Sequence, residues 1–429
     1  MNIYRNRRSR LAESISEGVI IVPTSPEMAR NANQYYEFRW DSTFYYLTGF
    51  KEPDAVLVIV PGKKPRQILF CRDKNVEREI WDGFRYGPKA AKTEFGFDEA
   101  YSIDEIDERV PELLINSDVL HTPMAVHPAW DARVANWLTR VRGLVRTGIN
   151  APMEVHDIRA RVGEMRLFKD AEEVKIMKRA ADISSAAHVR AMREAQTAKF
   201  EYEIAAGLAH EFGRHGAGSA YGSIVGAGAN ACCLHYRSND GPLKKGELLL
   251  IDAGCELGSY ASDITRTFPI GGKFSPAQRD VYEVVYAAQK AAIAAIKPGV
   301  VFDTYHEVAK KELVRGLIDL KLCKGSVDEV LEKKTYEQFY MHKAGHWLGL
   351  DVHDAGEYLR KGKYRKFEPG MVLTVEPGLY IRPAANVPKA FNNIGVRIED
   401  DVLVTKKGCE ELSTGVPKKL KDVEAACRA

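Results

Sequence analysis

The amino-acid sequence predicts an α+β protein whose main domain is preceded by a smaller α/β domain. Three observations indicate this architecture. The chain has 429 residues, enough for two hydrophobic cores. Short apolar runs alternate with helical stretches up to about residue 150. Mostly helical segments then follow in one block, and strand-like segments return after Gly370. We therefore expect domains at residues 1–163 and 164–429.

The composition is that of an ordinary soluble protein, with 45% hydrophobic and 28% charged residues. A net charge of +3 gives no reason to expect a nucleic-acid partner. No apolar run approaches the length of a membrane span, and no secretion signal follows the basic N-terminus. The seven cysteines are scattered and form no Cys-x-x-Cys motif. This pattern is typical of reduced thiols, so we expect a cytoplasmic protein without a membrane partner.

In the first domain, strands are expected at residues 19–22, 55–60 and 67–70. A proline opens a helix predicted over residues 128–141, which Gly143 follows. One face of that helix carries its large apolar residues, Trp130, Val134, Trp137, Leu138 and Val141. One aromatic group is expected to pack in the core: Phe38, Trp40, Phe44, Tyr45 and Tyr46.

In the second domain, sequence signals mark the beginnings of three helices. Asp170 followed by Glu173 predicts a capping box and a helix to about Glu194. Ser275-Pro276-Ala277-Gln278 predicts another helix start, because proline is favoured at the first helical position. Asp303 is expected to cap a third helix. Strands are predicted at residues 371–375 and 402–405.

The stretch at residues 247–270 is central to the second domain. An apolar strand ends on Asp252, Gly258-Ser259 predicts a hairpin turn, and residues 264–270 predict the returning strand. If the loop contains an even number of residues, Asp252 and Asp263 lie on the same face of the sheet. Two interpretations remain open at this point. The carboxylates hold a metal, or Asp252 caps the turn and Asp263 pairs with Arg266.

Three further stretches contain candidate functional residues. Residues 341–354 carry three histidines, His342, His346 and His353. Glu376 ends a predicted strand. Arg397 and Glu399 are two residues apart, which predicts that they share one face of a strand. A purely structural pair between these two residues is the alternative. Acids repeatedly end apolar strands beside glycines, which favours a functional site.

These segments resemble the metallopeptidases with the pita-bread fold, a family that includes methionine aminopeptidase, prolidase and aminopeptidase P. The resemblance covers most of residues 164–405 and starts at Glu164-Met165-Arg166-Leu167-Phe168-Lys169. It implies a site for two divalent metal ions. The implied ligands are Asp252, Asp263, His346, Glu376 and Glu399. Asp263 and Glu399 would contact both ions, Asp252 would complete one site, and His346 with Glu376 would complete the other.

The resemblance also implies roles in catalysis. Two metal ions would share a water, lower its pKa and polarise the scissile carbonyl. Glu376 would transfer the proton, and His235 and His353 would stabilise the tetrahedral intermediate. The remaining implied catalytic positions are His342, which would face the substrate, and Arg397 and Tyr380, which would support the ligands. Four carboxylates and one imidazole favour manganese, with zinc and cobalt as alternatives.

Within the family, the extra N-terminal domain argues against methionine aminopeptidase. The runs at residues 346–354, 376–380 and 41–50 resemble aminopeptidase P more than prolidase. Thr43 departs from the acidic residue that bacterial members often carry there. Trp81 is either a core residue, the interpretation we favour, or an aromatic that contacts substrate.

The resemblance implies hydrolysis of the N-terminal Xaa-Pro bond of peptides with proline at the second position. It also implies a homo-oligomer, a dimer or a tetramer. Two alternatives remain. One is an Xaa-Pro dipeptidase (prolidase), and the other is a non-catalytic peptide-binding module on the same fold, which would be expected to have lost one or more metal ligands.

Overall fold

The computed structural model of the protein describes residues 3–15 and 17–429. The chain divides into two compact units, one running to Met165 and the other from Arg166. Among the described residues, every helix is too short or too polar to cross a membrane. All seven cysteines are free thiols, and five of them are buried.

The first unit contains a sheet of six strands and several helices. Its helices are α1 (Ile3–Glu13), α2 (Ser42–Thr48), α3 (Val76–Asp82), α4 (Gly87–Phe95), α5 (Ile106–Leu114), α6 (Pro128–Arg142) and α7 (Arg159–Leu167), the last of which crosses the division between the units. Its strands are β1 (Val19–Pro23), β2 (Ala29–Asn31), β3 (Gln34–Tyr35), β4 (Val56–Val60), β5 (Arg66–Cys71), β6 (Glu99–Ser102), β7 (Val119–His121) and β8 (Glu154–His156).

The six-stranded sheet has the order β6-β5-β4-β1-β7-β8, and β2 pairs with β3 as a separate hairpin. The sheet is mixed, because β1 runs antiparallel to β4 and parallel to β7. The three predicted strands correspond to β1, β4 and β5. The predicted helix corresponds to α6, and its five apolar residues are buried in the core of this unit.

Aromatic residues of the first unit have two different environments. Phe44, Tyr45 and Tyr46 on α2 are buried, as expected, whereas Phe38 and Trp40 of the same predicted group are only partly buried. Trp81 on α3 is 82% exposed, so the core interpretation of this residue is wrong. No residue of α3 is buried, and its apolar side chains face solvent. Its large apolar residues Val76, Ile80 and Trp81 are each more than 70% exposed.

The second unit is built from long helices and short antiparallel strands. Its helices are α8 (Ala171–Glu194), α9 (Glu201–Gly213), α10 (Pro276–Ala295), α11 (Thr304–Asp319), α12 (Val327–Glu332) and α13 (Leu420–Arg428). Its strands are β9 (Gly218–Ser219), β10 (Ile224–Ala227), β11 (Leu248–Asp252), β12 (Cys255–Leu257), β13 (Tyr260–Ala261), β14 (Thr265–Pro269), β15 (Leu359–Arg360), β16 (Lys363–Tyr364), β17 (Val372–Val375), β18 (Gly378–Ile381), β19 (Ile394–Arg397), β20 (Asp400–Val404) and β21 (Cys409–Glu411).

Two of the three predicted helix caps are confirmed. Asp170 and Ser275 each accept backbone N–H groups in complete capping boxes, at the starts of α8 and α10. The third helix, α11, begins at Thr304 as expected, but the Asp303 side chain does not cap it. That carboxylate instead accepts a hydrogen bond from Lys343 Nζ at 3.1 Å. An ion pair has therefore replaced the expected cap.

The strands of this unit form several small antiparallel sheets, with the orders β10-β11-β14, β13-β12-β9, β17-β20-β21 and β18-β19. Apolar residues of β10, β11, β14, β18 and β19 share one core with α8, α9, α10 and α11, whereas those of β17 and β20 pack in a second cluster around Phe302 and Trp347. The predicted strand at residues 371–375 corresponds to β17, and the strand predicted at residues 402–405 belongs to β20. Helices and strands segregate in blocks along the chain, as the sequence predicts.

Candidate metal centre

The first two acids of the site lie at the ends of neighbouring strands of one sheet. Asp252 is the last residue of β11 and pairs with Thr265, the first residue of β14. Asp263 lies two residues before β14, and the Tyr221 hydroxyl bonds to both carboxylates, so the two aspartates face the same side. The predicted turn is present, since Gly258 and Ser259 have φ of 55° and 74° and connect β12 to β13. The same-face prediction for the two aspartates is thus confirmed.

Tyr221 joins these two acids and was not predicted from the sequence. Its hydroxyl lies 2.6 Å from Asp252 Oδ1 and 2.5 Å from Asp263 Oδ1. Burial and the negative charges of Asp252 and Asp263 raise the pKa of Tyr221 well above its usual value. The phenol therefore stays protonated and acts as a donor between the carboxylates. Nothing in the sequence around Tyr221 marks it, because its partners are more than thirty residues away.

His346 approaches the same acids from the segment after α12. Its Nδ1 lies 3.0 Å from the carbonyl of Trp347, so this nitrogen carries a proton and Nε2 is the nitrogen that faces the acids. Nε2 lies 3.5 Å from Asp263 Oδ2 and 3.8 Å from Glu376 Oε1. Gly345 allows this approach, since a Cβ there would lie 2.0 Å from the Thr374 carbonyl oxygen. A larger residue would push the histidine away from the sheet.

The raised pKa of His346 shows that the site stabilises positive charge. Burial opposes a charge on this imidazole, but the hydrogen bond to Asp263 and the charge of Glu376 outweigh burial and raise its pKa to about 9. Without metal, the ring is therefore protonated near neutral pH. The acids around it favour a positive charge at the position that Nε2 faces.

Glu376 follows β17 and is held by its backbone. Its N–H donates to the carbonyl of Ala344 at 2.8 Å. Burial raises the pKa of Glu376 to about 7, although the positive charges of His346 and Arg397 act in the opposite direction. The carboxyl group therefore lies close to its titration point near neutral pH.

Glu399 lies between two strands rather than within one. It follows β19 and precedes β20, which pair with different strands, β18 and β17. The prediction that Arg397 and Glu399 share one face of a continuous strand is therefore wrong. Glu399 Oε2 accepts a hydrogen bond from Thr265 Oγ1 at 2.6 Å. Burial, followed by the charge of Asp263, raises the pKa of Glu399 well above its usual value.

Arg397 supports the site through Asp252. Its Nη2 donates to Asp252 Oδ2 at 2.6 Å, and its Nη1 donates to the Tyr380 hydroxyl at 2.9 Å. Tyr380 in turn lies 3.0 Å from His342 Nε2. Burial and the charge of Arg397 lower the pKa of His342 to about 3, so His342 is neutral and accepts from Tyr380.

The structural alternatives for the acids are wrong. Arg397 pairs with Asp252 instead of Glu399. Arg266 is fully buried and pairs with Asp400 at 2.7 Å, so it is not the partner of Asp263. Asp252 bonds to side chains of the site and does not cap the turn.

The two remaining predicted histidines are at the edge of the acid cluster. The rings of His353 and His346 have centroids 4.2 Å apart, and burial followed by the charge of His346 lowers the pKa of His353. His235 is exposed, in the segment after β10. Interaction with His235 is the smallest of the influences that lower the pKa of His342 and His353, so the three imidazoles lie near one another.

Asp401 is a second residue that sequence reasoning missed. Both of its carboxylate oxygens lie 3.2 Å from the backbone nitrogen of Asp263. Burial and the charge of Asp263 raise the pKa of Asp401 well above its usual value. The only sequence feature that could have indicated this residue is its position in the acidic run Glu399-Asp400-Asp401. Thr265, which supports Glu399, is the third such residue.

The donor set fits divalent metal ions. One ligand atom from each of Asp263, His346 and Glu399 lies within 4.8 Å of the other two. Asp252 joins this group through Tyr221, and Glu376 joins it through His346. Ionising several buried acids close together costs free energy unless a cation neutralises them. Oxygen-rich sets with one imidazole suit hard or borderline divalent ions.

Comparisons with known proteins agree with this geometry. Residues 175–406 match the model of metallopeptidase family M24, and residues 4–121 match that of the aminopeptidase P N-terminal domain. The first match includes all five predicted ligands. The chain belongs to metallopeptidase family M24. It is therefore a metal-dependent hydrolase with the predicted α+β pita-bread fold behind an α/β N-terminal domain.

Several relatives match over nearly their whole length. Xaa-Pro aminopeptidase of Escherichia coli (strain K12) is 42% identical, with 98% of this chain and 96% of that protein covered. A Pseudomonas aeruginosa aminopeptidase structure is 45% identical, has a TM-score of 0.96, and is matched over 99% of this chain and 97% of that one. A zinc-substituted E. coli aminopeptidase P in complex with product is 41% identical, with a TM-score of 0.96 and coverage of 99% and 98%.

Proposed function

We propose that this protein is an Xaa-Pro aminopeptidase that removes the N-terminal residue from peptides with proline at the second position. The observation that carries the proposal is the convergence of Asp263, His346 and Glu399 within 4.8 Å of one another. This convergence occurs in a chain that resembles Xaa-Pro aminopeptidases along its full length. A binding module on the same fold would not need to retain such a costly group of acids.

The site would hold two divalent ions, with manganese preferred and zinc or cobalt as alternatives. Its ligands would be Asp252, Asp263, His346, Glu376 and Glu399. When bound, the ions supply Lewis acidity and a water of lowered pKa. The Nδ1–H contact of His346 with the Trp347 carbonyl keeps Nε2 available as the ligand atom. Arg397 partly neutralises Asp252 and keeps its orientation.

Glu376 would transfer protons during hydrolysis. A carboxylate beside the reacting water can accept its proton and return it to the leaving nitrogen. His353 and His235 would donate hydrogen bonds to the oxygen on which negative charge develops. His342 is neutral and fixed by Tyr380, so it would orient substrate without adding charge.

The proposed preference for proline follows from the chemistry of that residue. Proline has no amide hydrogen and a fixed φ, so a pocket that requires this hydrogen rejects it. A site lined by His235, His342 and His353 holds the substrate through side chains. It therefore does not depend on a hydrogen at the second residue.

One substrate comparison tests the proposal directly. Manganese-loaded protein is offered Xaa-Pro dipeptides, Xaa-Pro-Yaa tripeptides and Met-Ala peptides, and release of the first residue is measured. We expect tripeptides to be cleaved at least as well as dipeptides, and Met-Ala peptides poorly. Strict preference for dipeptides would identify a prolidase. Efficient cleavage of Met-Ala peptides would refute proline specificity, and no cleavage of any peptide would indicate a binding module.

We also propose that the protein acts in the cytoplasm as a homo-oligomer, a dimer or a tetramer. The free thiols support a reducing compartment. Exposed apolar side chains on and just after α3 support self-association, because contiguous apolar surface commonly marks an interface. These residues are Val76, Ile80, Trp81 and Phe84, each more than 60% exposed. Peptides are the proposed partners.

A further inference from the structure

Glu201, the first residue of α9, is an acid that the proposed mechanism does not use. It is fully buried, and its carboxylate accepts hydrogen bonds from neutral groups. Oε1 accepts from the backbone N–H of Ala227 at 2.7 Å and from Asn230 Nδ2 at 3.0 Å. Oε2 accepts from the hydroxyl of Tyr236 and the backbone N–H of Gly241, each at 2.8 Å. Each oxygen of this buried carboxylate therefore accepts two hydrogen bonds, which fixes the groups that donate them.

The four donors belong to one stretch of chain, which we call the His235 segment, residues 227–241. Ala227 is at its start and Gly241 is at its end, so a single carboxylate closes the loop. Gly241 is required for this closure, since a Cβ there would lie 2.9 Å from both oxygens of Glu201. The backbone adds a further connection, because the Glu201 N–H donates to the Gly241 carbonyl at 3.0 Å.

His235 lies next to Tyr236 within this closed segment. Across the described part of the chain, the ring of His235 makes no hydrogen bond, and the residue is exposed. Its position is therefore determined by the backbone around it. That backbone is ordered by the Tyr236 hydroxyl bond to Glu201 on one side and by the Asn230 bond on the other. Ordering a segment before substrate arrives reduces the entropy lost on binding.

We infer that Glu201 is the positioning residue for His235, and that it acts by closing the segment from Ala227 to Gly241. The inference rests on the proposed function, because it requires His235 to contact the reacting peptide. Among the described residues, the hydrogen-bond partners of the Glu201 carboxylate are Ala227, Asn230, Tyr236 and Gly241, none of them a predicted metal ligand. Its effect on catalysis passes through the geometry of the segment.

The test is the substitution Glu201→Gln in the manganese-loaded protein. Glutamine keeps the shape but replaces one acceptor oxygen by an NH2 group, which in either orientation faces a backbone N–H donor, that of Ala227 or that of Gly241. We expect unchanged metal content and a fall in kcat of about 10- to 100-fold, as for a displaced catalytic group. Backbone amides of residues 228–241 should exchange hydrogen faster than in the wild type.

A double-mutant cycle with His235→Ala separates this inference from the proposed function. If Glu201 acts through His235, adding Glu201→Gln to His235→Ala causes no further loss of kcat. Full additivity of the two losses would overturn the inference. Wild-type activity of His235→Ala alone would refute the proposed role of His235, and the inference would fall with it.

The matched control is Glu203→Gln, two residues further along the same helix. Glu203 Oε1 accepts from the N–H groups of Lys199 and Phe200, each at 3.0 Å, and does not bond to the His235 segment. Its kinetics should match those of the wild type. If Glu201→Gln fails to fold, Tyr236→Phe removes one of the four donors and should still lower kcat while keeping the metal. Wild-type kcat and amide exchange in Tyr236→Phe would then overturn the inference.

Discussion

At the scale of single residues, the acids of the site lie where their own charge is costly. Burial raises the pKa of Asp252, Glu376 and Glu399, and the negative charges of neighbouring acids raise each pKa further. Arg397 offsets part of this cost at Asp252. Divalent cations would offset the remainder, because they favour the ionised form of every ligand. The repulsion between these buried acids therefore favours metal binding.

We predict that Asp263→Asn and Glu399→Gln each lower metal content and abolish hydrolysis. The fold should survive, since the amide side chains keep the shape and remove a costly charge. Metal analysis, activity and circular dichroism test this together. Glu410→Gln serves as the control, because this acid is exposed and pairs with Lys178 on the surface. Full metal content and normal activity in the first two variants would disprove the ligand assignment.

We predict a different result for His235→Ala and His353→Ala. Both variants should retain the metal content of the wild type, because neither histidine belongs to the predicted ligand set. Turnover should fall by about 10²-fold or more, as when a donor to the transition state is lost. Metal analysis and steady-state kinetics are the measurements. Loss of a metal ion from either variant would move that histidine into the ligand set.

The residues of the site were predictable only where they share a recognisable pattern. Aspartates that end apolar runs, and histidines and acids beside glycines, stand out in the sequence. Tyr221 and Thr265 do not, because their roles come from distant partners that only the folded chain brings close. Arg266 was misleading for the opposite reason. Its neighbour in sequence is Asp263, but its partner in the core is Asp400.

At the scale of elements, the segment that carries His353 is fixed by a buried ion network. Asp354 accepts from Arg166 Nη2 at 2.5 Å and from Lys169 Nζ at 2.9 Å. Arg166 also pairs with Asp351 at 2.6 Å. Burial would raise the pKa of Asp354, but Lys169 and Arg166 outweigh it and hold the pKa below its usual value. The carboxylate is therefore charged whenever the protein is folded near neutral pH.

We predict that Asp354→Asn destabilises the protein by about 3–5 kcal/mol at neutral pH, because it leaves two buried cations with one partner fewer. Since the folded pKa lies below the ordinary value of 3.8, the stability from Asp354 is present above that pH and is lost as the pH falls below it. The difference in the free energy of unfolding between wild type and variant should become smaller as the pH falls. Urea unfolding at several pH values measures it.

The control for this substitution is Asp351→Asn. The Asp351 side chain is 44% exposed and shares the same arginine, so its loss should cost about 1 kcal/mol or less. Equal effects of the two substitutions would contradict the importance of burial in the network. A gap between wild type and Asp354→Asn that widens below pH 3.8 would contradict the lowered pKa.

Elements with local signals were predicted well, and elements defined by distant pairing were not. Capping boxes at Asp170 and Ser275 depend on side chains three residues apart, so the sequence contains all the information. The stretch from Arg397 to Glu399 was misjudged because alternation of faces assumes one continuous strand. The chain changes partners at this point, from β18 to β17, and only the tertiary structure reveals the change.

At the scale of the whole molecule, we predict that Trp81→Asp weakens or abolishes self-association. A charge placed on this 82% exposed side chain would have to be buried in any interface that covers α3. Sedimentation or light scattering at several concentrations measures the change in mass. Met153→Asp is the control, since Met153 is 84% exposed elsewhere in the same unit. An unchanged mass for Trp81→Asp would exclude α3 from the interface.

We also predict that residues 1–163 and 164–429 unfold as separate domains. The core around Val58 and Trp137 draws its residues from the first range, whereas that around Ile251 and Val285 draws them from the second. Calorimetry should show two transitions, and added manganese should raise the Tm of the second, because its ligands all lie there. A single calorimetric transition whose Tm rises with added manganese would contradict separate unfolding of the two domains.

The ribbon of β12 and β13 lies between Asp252 and Asp263 and is closed at its base. Ala253 N–H donates to the Ile264 carbonyl at 3.0 Å, and a Cβ at Gly254 would lie 1.7 Å from the Ser262 carbonyl oxygen. The two aspartates are thus held by contacts at the base. The tip of the ribbon is also packed, since Ser259 is only 3% exposed and the Tyr260 hydroxyl donates to Glu173 of α8 at 2.6 Å. An insertion at the Gly258-Ser259 turn would therefore break buried contacts, so search patterns for homologues can use a constant spacing between these two aspartates.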